Sequence, residues 1–109
     1  MIERPNTVLI ASESPQFANL LSRRLGIEQD IEIVGQASDT KELMSVSQDT
    51  QPDIILLNFG LEEPNLIKNV KIGAPASQVV LIVQDRTAET ARMAMRAGAQ
   101  DILCAGSLF

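Results

Sequence analysis

The chain has 109 residues, 45% hydrophobic and 21% charged, which fits one globular domain and leaves no room for a second of ordinary size. Its formal charge is −5, with three Phe and neither Trp nor Tyr, so it lacks the basic stripe and stacking aromatics that nucleic-acid binding needs. Its apolar runs are a few residues long, too short for a membrane-spanning helix, and Met1-Ile2-Glu3-Arg4-Pro5 carries no charged-then-apolar targeting signal.

Thr7-Val8-Leu9-Ile10-Ala11 is a β-rich apolar run and predicts a first strand. Ser14 and Pro15 follow as an N-cap and first-turn pair. Phe17, Leu20, Leu21 and Leu25 then recur at helical spacing as far as Gly26, with Arg23 and Arg24 on the other side. Ile31-Glu32-Ile33-Val34-Gly35 predicts a second strand. Asp39 caps the next helix, with Glu42 as the returning partner of a capping box and Leu43, Met44 and Val46 as the apolar face. Pro52-Asp53 leads into a third strand, Ile54 to Leu57, apolar throughout as a strand covered on both faces must be. Pro64 starts a short helix carrying Leu66, Ile67 and Val70, ended by Gly73 and Pro75. Val79 to Val83 is a fourth buried strand. Thr87 caps a helix with Ala91, Ala94 and Met95 on its apolar side, closed by Gly98, and Asp101-Ile102-Leu103-Cys104 is a short fifth strand.

Strands alternating with helices imply right-handed crossovers and a parallel sheet covered on both faces. The expected architecture is a flavodoxin-like, doubly wound α/β domain with strand order 2-1-3-4-5. Functional groups in such sheets gather beyond the carboxyl ends of the strands. Those ends are Ser12-Glu13, Asn58-Phe59, Val83-Gln84-Asp85 and Cys104-Ala105.

Val8-Leu9-Ile10 with Pro15 and Phe17 downstream, Asp30 to Ala37, Pro52 to Leu57, and Ala97-Gly98-Ala99 together resemble the response-regulator receiver (CheY-like) family. The resemblance runs from about Thr7 to Gly106. It implies an acidic pair after the first strand holding Mg²⁺ and an aspartate after the third accepting a phosphoryl group. It also implies a Ser or Thr after the fourth strand and a Lys after the fifth, both meeting the phosphoryl oxygens. By position these places fall to Ser12 and Glu13, Asn58, Val83 with Gln84 beside it, and Ala105. The usual Met-Pro turn after the third strand is replaced by Gly60-Leu61-Glu62-Glu63. Phosphoryl transfer needs an in-line nucleophile and cations on the phosphoryl oxygens, and a neutral carboxamide is no nucleophile.

The resemblance therefore implies a degenerate pseudo-receiver that is not an enzyme and needs no cofactor. It would act in the cytoplasm as a protein–protein interaction or dimerisation module in bacterial signalling or localisation. One setting is the receiver-like domain that precedes the ParA/MinD-like ATPase of TadZ/CpaE-type proteins. The alternative is an atypical phosphoacceptor receiver of a two-component system using another carboxylate, such as Glu62 or Asp85. A small-ligand flavodoxin-like domain is disfavoured, because the turn Ser12-Glu13-Ser14-Pro15 has no Gly to cradle a phosphate. Receiver domains end in a fifth helix, and only Gly106-Ser107-Leu108-Phe109 follows the fifth strand here. Residues 1–109 are accordingly expected to be a receiver-like piece of a longer protein with its final helix missing or truncated. A partner or second copy is the other way to cover the apolar face left behind.

The remaining candidates each admit a plainer reading. Asn58 is either a polar cap at a strand end or a mimic of one fixed signalling state. Glu13, Glu62, Glu63 and Asp85 form an acidic rim or a hard-cation site, with Glu13 and Glu62 the metal candidates; with no His and one Cys, a soft-metal site has almost no ligands. Arg92 and Arg96, one turn apart, form a partner contact or a solvated face. Cys104 has no second cysteine to pair with, suits a reducing compartment, and reads as packing or as a reactive thiol. Ser12 and Ser14 have no His to act as base. An interaction surface for a protein partner or a second copy is expected on the face of helix 87–98 and strand 101–104, with Arg92, Arg96, Ile102 and Cys104 as its residues.

Overall fold

Short aliphatic runs separated by well-capped helices can bury both faces of a sheet only if each helix crosses over to start the next strand alongside the last. The computed structural model, which describes residues 4–59, 63, 65–84 and 87–105, shows this arrangement. It comprises β1 (Asn6–Ala11), α1 (Pro15–Gly26), β2 (Ile31–Ala37), α2 (Thr40–Thr50), β3 (Ile54–Leu57), α3 (Leu66–Gly73), β4 (Gln78–Val83), α4 (Ala88–Ala97) and β5 (Asp101–Cys104). All strand pairs are parallel and the order is β2-β1-β3-β4-β5, as the alternation predicts. Residues 106–109 lie outside the described residues, so four helices flank the sheet among those described.

The helix starts follow their predicted chemistry with one change. Ser14 Oγ accepts the Phe17 N–H at 3.2 Å, with Pro15 opening α1. Asp39 accepts the Glu42 N–H at 2.7 Å, but the Glu42 carboxylate reaches back to the Ser38 N–H, also at 2.7 Å, not to Asp39. The reciprocal box expected at Asp39 is thus displaced by one residue. At α4 the box does close, through Thr87 and Thr90. Pro64, expected to start the third helix, lies outside the described residues, and α3 begins at Leu66 with no side-chain cap from Asn65. Gly98 ends α4 at φ +89°, a left-handed turn that a residue with a Cβ rarely adopts.

The sheet divides the core in two. Leu9, Ile55, Leu57, Val79, Leu81 and Val83 point to the side covered by α2, α3 and α4 and are buried with Leu43, Ile67, Val70 and Ala94. On the other side α1 supplies Ala18 and Leu21 against Val8, Ile10, Leu56 and Ile82, while Ile54, Val80, Leu103 and Ala105 are only partly buried. β2 crosses α2 so closely that a methyl group on Gly35 would lie 3.0 Å from Val46 Cγ1. One expectation is corrected here. Met95, assigned to the apolar side of its helix, is 79% exposed, because the contacts α4 makes with the core come from the small residues Ala91, Ala94 and Ala97. Ile102 is 8% exposed and packs into the α2–α4 side of the core.

Candidate functional site

Ser12 and Asn58 each follow the last paired residues of their strands, Ala11 and Leu57, which face one another across the β1–β3 ladder. The β1–β3 ladder carries on one step past that pair through the Asn58 N–H to the Ala11 carbonyl, and the β1–β2 ladder through the Ser12 N–H to the Ala37 carbonyl, both at 2.9 Å. This brings the two side chains together: Asn58 Nδ2 donates to Ser12 Oγ at 3.2 Å. The same Oγ accepts the Ser14 N–H at 3.1 Å, and Ser14 Oγ in turn caps α1. Ser12 is 2% exposed, so this relay is built into the base of the site. A hydroxyl oxygen has two lone pairs, and here both are taken by N–H donors.

Other residues placed at this end do not join the relay. Glu13 is exposed beside Ser12. Val83 is 4% exposed and belongs to the core, offering no hydroxyl at the end of β4. Ala105 packs at the edge of the α1-side cluster and carries no cation. Glu63 lies apart, with Thr40 Oγ1 donating to its Oε1 at 3.4 Å. Glu62 and Asp85, the other carboxylates considered, lie outside the described residues. Cys104 is half-buried and its Sγ–H donates to the Gln84 carbonyl at 3.0 Å, which ties β5 to the turn after β4. Arg92 and Arg96 are exposed on α4, and a groove between α4 and β5 is lined by Ala91, Met95, Ala99 and Ile102.

Among the described residues the donor set does not fit the Mg²⁺ that the receiver pattern implies. A hard cation needs converging oxygen lone pairs, with carboxylates supplying the charge. Among the described residues at this end one carboxylate, Glu13, accompanies a carboxamide whose N–H is given to Ser12 and a hydroxyl whose lone pairs are used. Among the described residues no group of three or more Cys, Asp and Glu side chains comes close enough to share an ion. The hydroxyls of Ser12 and Ser14 serve as acceptors within the turn, with no imidazole in the chain to activate them.

One polar cluster has no counterpart in the sequence reading and sits at the opposite, amino-terminal end of the sheet. Asp53 accepts from the Thr7 N–H at 2.9 Å, from Thr7 Oγ1 at 3.2 Å and from Arg4 Nη2 at 3.0 Å. The Thr7 backbone N–H, followed by the Thr7 hydroxyl and Arg4, holds the Asp53 carboxyl below the ordinary aspartate value of 3.8 against a smaller opposing effect of burial. The signal for it was the lone acid next to Pro52, which reads as mere strand punctuation until β1 is laid beside β3.

A doubly wound parallel sheet, with its polar residues collected where β1 and β3 diverge from their crossovers, defines a receiver-type module. The family model for the response regulator receiver domain matches residues 8–104, and the chain belongs to that family. It is 31% identical over 107 residues to protein-glutamate methylesterase/protein-glutamine glutaminase 3 of Myxococcus xanthus, covering 94% of this chain and 30% of that relative. The chain thus spans less than a third of the length of such relatives. Among solved structures it superposes on the signal receiver domain of NarL from Mycobacterium tuberculosis with a TM-score of 0.82 at 20% identity, covering 94% of this chain and 86% of that one. The response regulator domain of Thermotoga maritima CheB gives 0.81 at 22% identity, covering 93% and 78%. At these identities the structural likeness speaks to the fold alone.

Proposed function

We propose that this receiver domain is non-phosphorylatable and works by presenting surfaces to a protein partner or a second copy of itself. The observation that carries this reading is the carboxamide of Asn58 at the end of β3, hydrogen-bonded to Ser12 where the family pattern has acids. Val83 and Ala105 extend the loss, since the one side chain carries no hydroxyl and the other no ammonium to steady phosphoryl oxygens. The surface that remains is α4, with Arg92, Met95 and Arg96 exposed along it and a shallow groove against β5. We place it in the cytoplasm. The module serves as one part of a longer polypeptide, a reading supported by relatives of which it spans 30%.

The test is incubation with Mg²⁺ and a small phosphodonor followed by intact mass measurement. The expected result is no adduct. A stoichiometric, base-labile phosphoryl adduct would sink the proposal and favour a phosphoacceptor on another carboxylate. Sedimentation over a range of concentrations tests the surface: association lost on M95E or R92E places it on α4.

A further inference from the structure

The misfit between the donor set and a cation has a constructive side. We infer that Ser12 and Asn58 form a neutral brace that holds the β1–α1 turn against the end of β3 with no cation and no phosphoryl group. Three hydrogen bonds run in series from β3 to the first turn of α1: Asn58 Nδ2 to Ser12 Oγ at 3.2 Å, Ser14 N–H to the same Oγ at 3.1 Å, and Phe17 N–H to Ser14 Oγ at 3.2 Å. The middle oxygen is fully buried, so removing Asn58 leaves Ser12 Oγ short of a donor with little water to replace it. The direction of the bonds also matters. Two N–H donors converge on Ser12 Oγ, so the positive ends of two dipoles point to the place where a shared ion would have to sit. A ligand shifts a conformation only if it binds one state better than another, and N–H dipoles directed into this pocket offer a cation no such advantage.

Ser12 and Asn58 are therefore positioning residues that keep the site in one arrangement. The inference rests on the non-phosphorylatable reading only for its consequence, that the surfaces are presented constitutively. The brace itself concerns two side chains and stands or falls separately.

Nuclear magnetic resonance of ¹⁵N-labelled protein decides it. The Asn58 carboxamide protons are expected to exchange several-fold more slowly than those of exposed Asn69, and S12A is expected to bring them to the Asn69 rate. In a double-mutant cycle, S12A/N58A should lose no more stability than the costlier single variant. N58D should recover most of the loss seen in N58A, because the Ser12 hydroxyl can turn to donate to a carboxylate. Millimolar Mg²⁺ should leave the Ser12, Ser14 and Asn58 resonances of the wild-type protein unmoved. Fast carboxamide exchange in the wild type, additive losses in the cycle, or Mg²⁺-dependent shifts at these residues would each overturn the brace. The wild-type exchange rate and the Mg²⁺ titration need no variant, so a failure of S12A to fold leaves the question decidable. A phosphoryl adduct by mass with slow carboxamide exchange would remove the functional reading and leave the brace in place.

Discussion

Asn58 differs from an aspartate by one amide group, yet restoring the acid should not restore the reaction. N58D supplies a nucleophile, but Val83 and Ala105 still leave the phosphoryl oxygens without partners, so N58D is expected to stay unmodified by a small phosphodonor. The combined variant S12D/N58D/V83T/A105K is the first expected to show an adduct by intact mass. That Asn58 and its companions occupy the sheet's carboxyl end was legible in the sequence, because an apolar strand ending in one polar residue can only deliver it there. That Asn58 and Ser12 bond to each other was not legible, since the contact depends on β1 lying beside β3 in register. Asp53 is a second case in which partners far apart in sequence set a residue's chemistry. Its folded pKa lies below its unfolded one, so its contribution to stability is complete above the unfolded value and is lost as pH falls through the lower, folded value. The stability of the wild-type protein should therefore fall on acidification below about pH 4, and D53N should show a flatter acid limb in urea titrations taken at successive pH values.

At the scale of elements, local chemistry carries more of the structure. Thr87 closes a reciprocal box with Thr90, so T87A should cost about 1 kcal/mol, read from the urea midpoint at unchanged slope. Gly35 answers to packing between elements. Val46 is β-branched and helical, with a nearly fixed χ1, so its methyl 3.0 Å from the added Cβ cannot swing aside and G35A should destabilise by about 1–3 kcal/mol. Strand and helix positions could be read from the sequence because each apolar run is bounded by a cap or a breaker. The orientation of α4 could not. Ala91, Ala94 and Met95 share a helical stripe, but small alanines let the helix approach β5 closely and leave Met95 on the rim. Hydrophobic spacing cannot tell a residue at the middle of a buried stripe from one at its margin.

Across the whole molecule, the two faces of the sheet are unequally finished. The α2–α4 side is closed, whereas Ile54, Val80 and Leu103 on the α1 side remain partly open to solvent. Two side-chain clasps join β1 to β3 across the sheet's central ladder, Thr7 to Asp53 at one end and Ser12 to Asn58 at the other. One is ionic and the other neutral, so they answer to different conditions. Acid undoes the first by protonating Asp53 and leaves the second untouched, since neither an amide nor a hydroxyl titrates in that range. The central ladder is thus a fastener with one acid-sensitive end. Amide exchange followed as pH is lowered toward 3 should show protection lost at Thr7 before Asn58, so that the sheet opens from its foot toward the Ser12–Asn58 end.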